Sequence, residues 1–201
     1  NVQGIEPAKN LAELANKNGI NTFHGYLSDK AINPIKNGAD LLLASNVFAH
    51  SDDLRSMAQS MKKLIKPEGK IVIEVQYLLR TIKDLTFDNI YHEHVNYWSV
   101  ISIKRFFDEM GLCVVSVEKI DTHGGSVRVY VSRNRSPDRS VEDMISAEEE
   151  AGLTDLATYI SFGETVERTR KNARRNLDYL KARYERIVGY GAPAKATTAL
   201  N

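Results

Sequence analysis

The sequence predicts an α/β fold whose mostly parallel sheet ends in an antiparallel strand pair. Three observations lead to this fold class. Strand-like and helix-like hydrophobic periods alternate along the first 134 residues. Residues 38–46 form a continuous apolar run, the pattern of a strand buried on both faces of a parallel sheet. Residues 125–132 alternate in hydrophobicity and are expected to pair antiparallel with residues 112–119.

The remaining elements follow from periodicity and from helix-ending residues. The predicted order before the antiparallel pair is strand 2–5, helix 11–18, strand 22–27, strand 38–46, helix 53–65, strand 70–75 and helix 102–110. Gly19 and Gly111 end two of these helices, because glycine readily takes the left-handed conformation that closes a helix. From about residue 141 to residue 184 the pattern changes to long, charged helices with an apolar side made by Leu153, Leu156, Ile160, Val166, Leu177 and Leu180.

Three regions are therefore predicted: a core at 1–134, a helical connection at 135–185 and the start of a second α/β domain at 186–201. Residues 186–195 have the pattern of a strand, a glycine turn and a helix start, with Pro193 in the first turn. Both ends have the pattern of interior segments, so the chain is expected to be a fragment of a longer protein, truncated in its second domain.

Composition narrows the class of protein. Of the 201 residues, 42% are hydrophobic and 26% are charged, with a formal net charge of +1 and interspersed signs. This distribution offers no electrostatic surface for nucleic acid or an anionic membrane. Cys113 is the only cysteine, which excludes a disulfide within the chain and favours the cytoplasm, and no apolar run approaches the roughly 20 residues that cross a bilayer. We expect a monomer or a weak homodimer.

Several motifs in series carry a family resemblance. Residues 4–7 (GIEP), 38–50 and 64–74 resemble class I methyltransferases from their second strand onward. Residues 87–94 (FDNIYHEH), 123–128 (HGGSVR) and 189–195 (GYGAPAK) resemble sugar C-3'-methyltransferases, which make branched deoxysugars.

The resemblance covers nearly the whole chain and has several implications. It implies S-adenosylmethionine as cofactor, a keto-deoxysugar nucleotide as substrate and a C-terminal Rossmann-like domain that helps to hold this nucleotide. It also implies that the core here lacks its first strand and its Gly-rich loop. Enzymes of this family carry a cysteine-rich zinc module at the N-terminus, the one place where zinc is expected.

Glu6 is the first candidate cofactor residue. It follows a predicted strand at the edge where open parallel sheets bind ligands, and a carboxylate there accepts both ribose hydroxyls of an adenosyl group. A solvated acid at a helix start is the alternative. The family pattern implies further cofactor contacts from Pro7, Tyr26, Leu27, Ser45 and Asn46, with Asn46 on the amino-acid part.

Tyr91-His92-Glu93-His94 is the sharpest local feature. Two histidines around one carboxylate are a weak metal signal without the spacing H-E-x-x-H, so no metal is expected; a structural turn is the other alternative. Acid–base chemistry suits the motif better, since methylating a sugar carbon requires removal of a weakly acidic proton beside a ketone. By resemblance, His94 is the base, and Tyr91 and Glu93 position the substrate or stabilise the enolate and the imidazolium.

Residues elsewhere complete the predicted site. His50 is expected near the reacting centre, or else in the capping region of the next helix. The family pattern implies substrate contacts from His123, Gly124 and Arg128, with Tyr77 a weaker candidate. A hairpin turn at 123–125 and an outward-facing Arg128 are the structural alternatives.

Three alternatives to a C-methyltransferase stay open. The same His–Glu pair deprotonates a hydroxyl equally well, as in an O- or N-methyltransferase. A nicotinamide-dependent sugar-nucleotide oxidoreductase would use Glu6 in the same geometry, although residues 189–195 lack the third glycine of the dinucleotide spacing. The third alternative is a remnant of an enzyme that binds a ligand but catalyses no reaction.

Overall fold

The computed structural model describes residues 2–33, 35, 37–191 and 193–200, with the side chain of His123 outside the described part. The strands are β1 (Gln3–Glu6), β2 (Asn21–His24), β3 (Ala39–Ser45), β4 (Ile65–Gln76), β5 (Cys113–Ile120) and β6 (Ser126–Ser132). The helices are α1 (Lys9–Lys17), α2 (Asp29–Ile32), α3 (Leu54–Leu64), α4 (Leu78–Lys83), α5 (Val100–Glu109), α6 (Arg139–Glu150), α7 (Leu156–Arg183) and α8 (Lys195–Leu200). Short 3-10 helices lie at Phe48–His50, Phe87–Asn89 and Thr122–Gly124.

The strands of the described residues form two sheets. β1 and β2 pair in parallel, and the second sheet has the order β3-β4-β6-β5. β3 and β4 are parallel, whereas β6 runs antiparallel to both β4 and β5. The predicted antiparallel pair at the end of the sheet is therefore confirmed. Strand β4 begins five residues before the predicted strand 70–75, and its pairing with β3 shifts register between Ala39 and Leu41.

The prediction that β3 is buried on both faces is wrong for the described residues. Leu41 and Leu43 are 53% and 68% exposed, whereas Ala44 is 5% exposed. β3 has one hydrogen-bonded neighbour, β4, and lies at the edge of its sheet. An apolar run indicates which residues avoid water, but it does not reveal whether a second layer is present to cover them.

The core lies on one face of the four-stranded sheet. Alternate residues of β4 (Ile71, Ile73 and Val75) and of β6 (Val127, Val129 and Val131) are at most 1% exposed. An aromatic cluster packs in the same core, with ring centroids 5.2–5.8 Å apart among Phe48, Trp98, Phe106 and Phe107. This packing fixes the positions of the Phe48–His50 segment and α5.

A buried carboxylate from α6 caps α5. Glu148 is 0% exposed and accepts hydrogen bonds from the backbone N–H groups of Val100 (2.6 Å) and Ile101 (2.9 Å). Ser99 and Ser102 complete a capping box at the same helix start. A negative charge at a helix N-terminus satisfies amides that otherwise have no partner and interacts favourably with the helix dipole. Glu148 thus ties α6 to the core.

The C-terminal part departs from the sequence prediction. Leu156, Ile160, Leu177 and Leu180 of α7 are 73%, 55%, 43% and 37% exposed, so the described residues leave this apolar side open. The strand predicted from residue 186 is wrong, because residues 186–191 belong to neither a strand nor a helix. A strand needs a hydrogen-bonded partner, and none of the described strands pairs with this segment.

The helix predicted after this segment does form, as α8, and Thr198 Oγ1 donates to Ile90 O at 3.1 Å. The three-region division stays a prediction. None of the helices within the described ranges carries an apolar stretch long enough to cross a membrane.

Candidate active site

The loop that carries Tyr91–His94 is fixed at both ends. Within it, the N–H of Tyr91 donates to Asn89 O (3.2 Å), and the N–H of His94 donates to Tyr91 O (3.0 Å). After it, the N–H groups of Val95 and Asn96 both lie 3.2 Å from Ala49 O. These bonds hold the loop against the Phe48–His50 segment, which follows the carboxyl end of β3.

The loop brings His94 beside His50. Their ring centroids are 5.0 Å apart. His94 Nδ1 lies 2.8 Å from Asn89 O, and His50 Nδ1 lies 2.6 Å from Glu93 O. Since a carbonyl oxygen only accepts hydrogen bonds, Nδ1 of each ring carries the proton. Nε2 of a neutral ring is then the free acceptor, as a general base requires.

Two tyrosines pack around His94. Tyr91 lies 4.5 Å from it between ring centroids, and Tyr97 makes an edge contact at 6.3 Å. Tyr97 Oη also donates to Asn89 O (3.3 Å). Burial, and secondarily the nearby Tyr91, raises the pKa of Tyr97, so its hydroxyl stays protonated and able to donate. Sequence reasoning missed Tyr97 and Asn89, although both lie within eight residues of His94.

The side chain of Glu93 is exposed and faces His92. Its carboxylate is 4.0 Å from His92 Nε2, and the two side chains are 57% and 85% exposed. The described contacts of Glu93 with the histidine pair come from its backbone carbonyl, which orients His50. Among the residues that the structure describes, no carboxylate pairs with the His94 imidazole, and a catalytic role for the Glu93 carboxylate stays a prediction.

The candidate cofactor residues lie after two strands. Glu6 ends β1, and its Oε1 accepts the N–H of Ala8 at 2.8 Å, which leaves acceptor positions for ribose hydroxyls. Asn46 follows β3 with φ 53°, a left-handed conformation that asparagine tolerates, and its N–H donates to Glu74 O (2.8 Å). Ser45 before it is exposed. These residues fit an adenosyl cofactor by donor type and accessibility.

The other three candidate cofactor residues differ in exposure. Pro7 is exposed, Leu27 is partly buried against the core, and Tyr26 is 79% exposed. Tyr26 and Lys30 have the spacing Tyr-x-x-x-Lys, the dyad spacing of nicotinamide-dependent sugar oxidoreductases. No described contact draws Tyr26 towards His94.

Tyr77 is a core residue, so its predicted substrate contact is wrong for this structure. It is 0% exposed, pairs with Trp98 in an isolated parallel bridge and leaves its hydroxyl without a hydrogen-bond partner. Burial is the main cause that raises the pKa of Tyr77, and the carboxylate of Glu148 adds to it. A position after a strand end did not reveal that the side chain points inward.

Arg128 lies on the sheet between two carboxylates. Its guanidinium contacts Glu74 (3.0 Å) and Glu118 (2.9 Å), and these partners raise its pKa. Thr122 Oγ1 donates to the other oxygen of Glu74 (3.1 Å). A substrate diphosphate would compete with both carboxylates for Arg128, and that contact stays a prediction.

The turn with the other two candidate substrate residues lies next to the loop that carries Tyr91–His94. Gly124 has φ +81°, and a Cβ placed there would contact Asn89 and Thr86. The His123 side chain lies outside the described residues. Across the ranges that the structure describes, no three or more His, Cys, Asp or Glu side chains are grouped to hold a metal ion.

Comparisons with known proteins add a family context. A family model described as a methyltransferase domain matches residues 1–117, and one described as a C-methyltransferase C-terminal domain matches residues 121–201. The C-methyltransferase NovU of Streptomyces niveus is 33% identical over 205 residues, which cover 99% of this chain and 49% of NovU. The chain thus spans about half the length of this curated relative.

Solved structures show the same fold. S-adenosylmethionine-dependent methyltransferases from Thermotoga maritima and Anabaena variabilis align with TM-scores of 0.51 and 0.50, at 14% and 13% identity. Each alignment covers 66% of this chain, and 73% and 68% of the respective relatives. At such identities the likeness concerns the fold alone, and it confirms the predicted α/β class I methyltransferase fold.

Proposed function

Because the chain belongs to the family of methyltransferase domains, we propose that it forms the base-bearing part of an S-adenosylmethionine-dependent C-methyltransferase for a keto-deoxysugar nucleotide. Carbon as the methylated atom is supported by the match of residues 121–201 to a C-methyltransferase C-terminal domain and by the printed name of NovU. The sugar acceptor is supported by the motifs at residues 87–94 and 123–128.

One observation carries the chemical assignment. His94 is held by Asn89 O through Nδ1 at 2.8 Å, so its Nε2 is the free acceptor, and Tyr91 packs 4.5 Å from the same ring. A base with a fixed tautomer beside a phenol suits deprotonation next to a ketone, because the carbon acid loses its proton as the ketone oxygen gains charge.

The proposed reaction begins with transfer of a proton from the substrate carbon to His94 Nε2. The C–H bonding pair stays on the substrate and delocalises into the ketone as an enolate. The hydroxyl of Tyr91 donates to the developing oxyanion, while the Asn89 carbonyl stabilises the imidazolium through its Nδ1–H. The proton then leaves His94 for solvent when the product departs.

His50 presents a second imidazole whose Nδ1 also faces a backbone carbonyl oxygen. Its Nδ1 is held by Glu93 O at 2.6 Å, so its Nε2 is also free. At 5.0 Å between ring centroids, it lies close enough to orient the substrate ketone or a water that receives the proton. We assign His50 a binding and orienting role, and the base role to His94.

S-adenosylmethionine, when bound, supplies an electrophilic methyl group that accepts the electron pair of the substrate carbon. Glu6 would hold its ribose, and Ser45 and Asn46 its amino-acid part, with Pro7, Tyr26 and Leu27 near the adenosyl group. The remaining acceptor positions on Glu6 and the exposed Ser45 support this fit.

Product analysis tests the proposal. The full-length protein is incubated with S-adenosylmethionine carrying a carbon-13 methyl group and with keto-deoxyhexoses on thymidine, uridine and guanosine diphosphate. We expect a methyl signal bonded to a sugar carbon in the NMR spectrum. A methyl group on oxygen or nitrogen would favour the other methyltransferase alternatives, and reduction of the ketone by a nicotinamide cofactor would favour the oxidoreductase.

A further inference from the structure

One buried carbonyl oxygen beside the candidate base receives three hydrogen bonds. It belongs to Asn89, which is 1% exposed. The donors are the backbone N–H of Tyr91 (3.2 Å), His94 Nδ1 (2.8 Å) and Tyr97 Oη (3.3 Å). All three come from the segment of nine residues that begins at Asn89 itself, so this oxygen joins the start of the loop to its end.

The peptide group that carries this oxygen is also held from its other side. The C=O of Asn89 and the N–H of Ile90 belong to one peptide group, which is planar. The N–H of Ile90 donates to Phe87 O at 2.9 Å. Because the group is planar, a rotation that breaks this bond also moves the oxygen away from His94 Nδ1.

Tyr97 touches His94 in two ways. Its ring packs edge-on against the imidazole, with centroids 6.3 Å apart and an angle of 87° between the rings. Its hydroxyl reaches the same carbonyl oxygen as His94 Nδ1 does. Since the bond from Tyr97 is 0.5 Å longer than the bond from His94, it is the weaker of the two, and its loss leaves the His94 bond in place but less constrained.

The Asn89 carbonyl matters because it selects the tautomer of His94. A carbonyl oxygen only accepts, so it holds the proton on Nδ1 and leaves Nε2 free to act as a base. The other neutral tautomer carries its proton on Nε2 and cannot accept one there. A group that keeps this oxygen aligned with Nδ1 therefore maintains the active form of the base.

The hydroxyl of Tyr97 is suited to this task. Burial, and secondarily the nearby Tyr91, raises the pKa of Tyr97, so the phenol keeps its proton and donates it. Because this proton is directed at Asn89 O, Tyr97 acts through the carbonyl and not on the substrate.

We propose that Tyr97 is a positioning residue for the base: its hydroxyl holds the Asn89 carbonyl, and this carbonyl keeps His94 in the tautomer with the proton on Nδ1. The inference rests on the proposed function, in which His94 Nε2 takes the proton from the substrate carbon. It adds a residue outside the Tyr91–His94 motif on which turnover depends.

The test removes the hydroxyl of Tyr97 and keeps its ring. In the full-length protein, Tyr97→Phe does this. Tyr159→Phe is the matched control, because Tyr159 Oη also donates to a backbone carbonyl, Leu153 O at 2.7 Å, but lies on α7. Methyl transfer to keto-deoxyhexoses on thymidine, uridine and guanosine diphosphate gives kcat and KM.

A second measurement needs no substrate. NMR spectra of protein labelled with nitrogen-15 in its histidines report the tautomer of each imidazole, and His94→Gln identifies the signals of His94. We expect His94 to carry its proton on Nδ1 in the parent and in Tyr159→Phe. Tyr97→Phe should instead give a mixture of both tautomers.

Turnover should follow the tautomer. Tyr97→Phe should lower kcat about tenfold with KM changed by less than about twofold, the effect of losing one neutral hydrogen bond. Tyr159→Phe should keep the parental constants. If Tyr97→Phe does not fold, Tyr97→Met also removes the hydroxyl and should give the same two results.

The outcomes separate this inference from the proposed function. A parental kcat in Tyr97→Phe would overturn the positioning role, whatever the tautomer. A lower kcat with the proton still on Nδ1 would also overturn it, because Tyr97 would then act without the Asn89 carbonyl. A parent protein that methylates none of the three sugar nucleotides would overturn the proposed function, while the nitrogen spectra would still decide whether Tyr97 sets the tautomer.

Discussion

Replacing Glu148 by glutamine should destabilise the protein by about 2–4 kcal/mol. The carboxylate is 0% exposed and accepts the amides of Val100 (2.6 Å) and Ile101 (2.9 Å) at the start of α5. Hydrogen bonds to a charged group are worth about 1.5–3 kcal/mol each, and the helix-dipole interaction adds up to about 2 kcal/mol. The glutamine side chain keeps one acceptor and turns an NH₂ group towards the other backbone amide. Because the neutral side chain also has a lower desolvation penalty, part of the lost stability is recovered.

Two measurements assess this effect. Urea unfolding of the full-length protein gives the change in the free energy of unfolding, and hydrogen–deuterium exchange reports the protection of the Val100 and Ile101 amides. Glu149→Gln is the matched control, because this neighbour is exposed. If Glu148→Gln were as stable as the control with both amides still protected, the carboxylate would not cap α5 and the reasoning would be refuted.

Three further predictions concern the site and the sheet. Tyr91→Phe should lower kcat about 100-fold with little change in KM, because it removes a donor to the developing oxyanion. An unchanged kcat with a raised KM would contradict this role. The hydroxyl of Tyr130 holds the pKa of Glu118 below its ordinary value, so this carboxylate contributes stability above about pH 4.3 that is lost as the pH falls further. In this acidic range the melting temperature should therefore change less with pH in Glu118→Gln than in the parent. The same pH dependence in both proteins would contradict the hydrogen bond between Tyr130 and Glu118. Gly125→Ala should lower the free energy of unfolding by more than about 1 kcal/mol, since Gly125 has φ +108° and the new Cβ would lie 2.9 Å from Arg80 Cβ; a urea midpoint equal to that of the parent would refute this.

Sequence periodicity was sufficient to predict most of the fold. Strands β4 and β6 alternate buried and partly exposed residues, and local patterns of this kind depend only on which face meets the core. Helix ends were similarly readable, since Gly19 and Gly111 adopt the left-handed conformation that glycine favours. These features are local in the chain, so local reasoning found them.

Features that depend on contacts between distant residues could not be predicted from the sequence. The exposure of Leu43 depends on whether another layer covers β3, and the burial of Tyr77 depends on the core cluster that it joins. The pairing of Glu148 with Val100 joins residues 48 positions apart. Charge and hydropathy at one position do not encode such partners.

The candidate site, too, was predicted from the sequence only in part. Tyr91 and His94 were found as a motif, and the structure adds the carbonyl of Asn89 that fixes the histidine tautomer. Backbone carbonyls carry no sequence signal, because every residue has one. Glu93 shows the opposite case. Its charged side chain stands out in the sequence but is exposed, and its backbone carbonyl makes the described contact with His50.

Solvent deuterium exchange at the sugar carbon tests the base most directly. The full-length protein, its keto-deoxysugar nucleotide and S-adenosylhomocysteine are placed in deuterated water, where deprotonation proceeds without methyl transfer. Deuterium should enter the position beside the ketone, and His94→Gln should slow this at least about 100-fold. His92→Gln, at a side chain 85% exposed, should exchange as the parent does. Exchange at the parental rate in His94→Gln would contradict the assignment of His94 as the base.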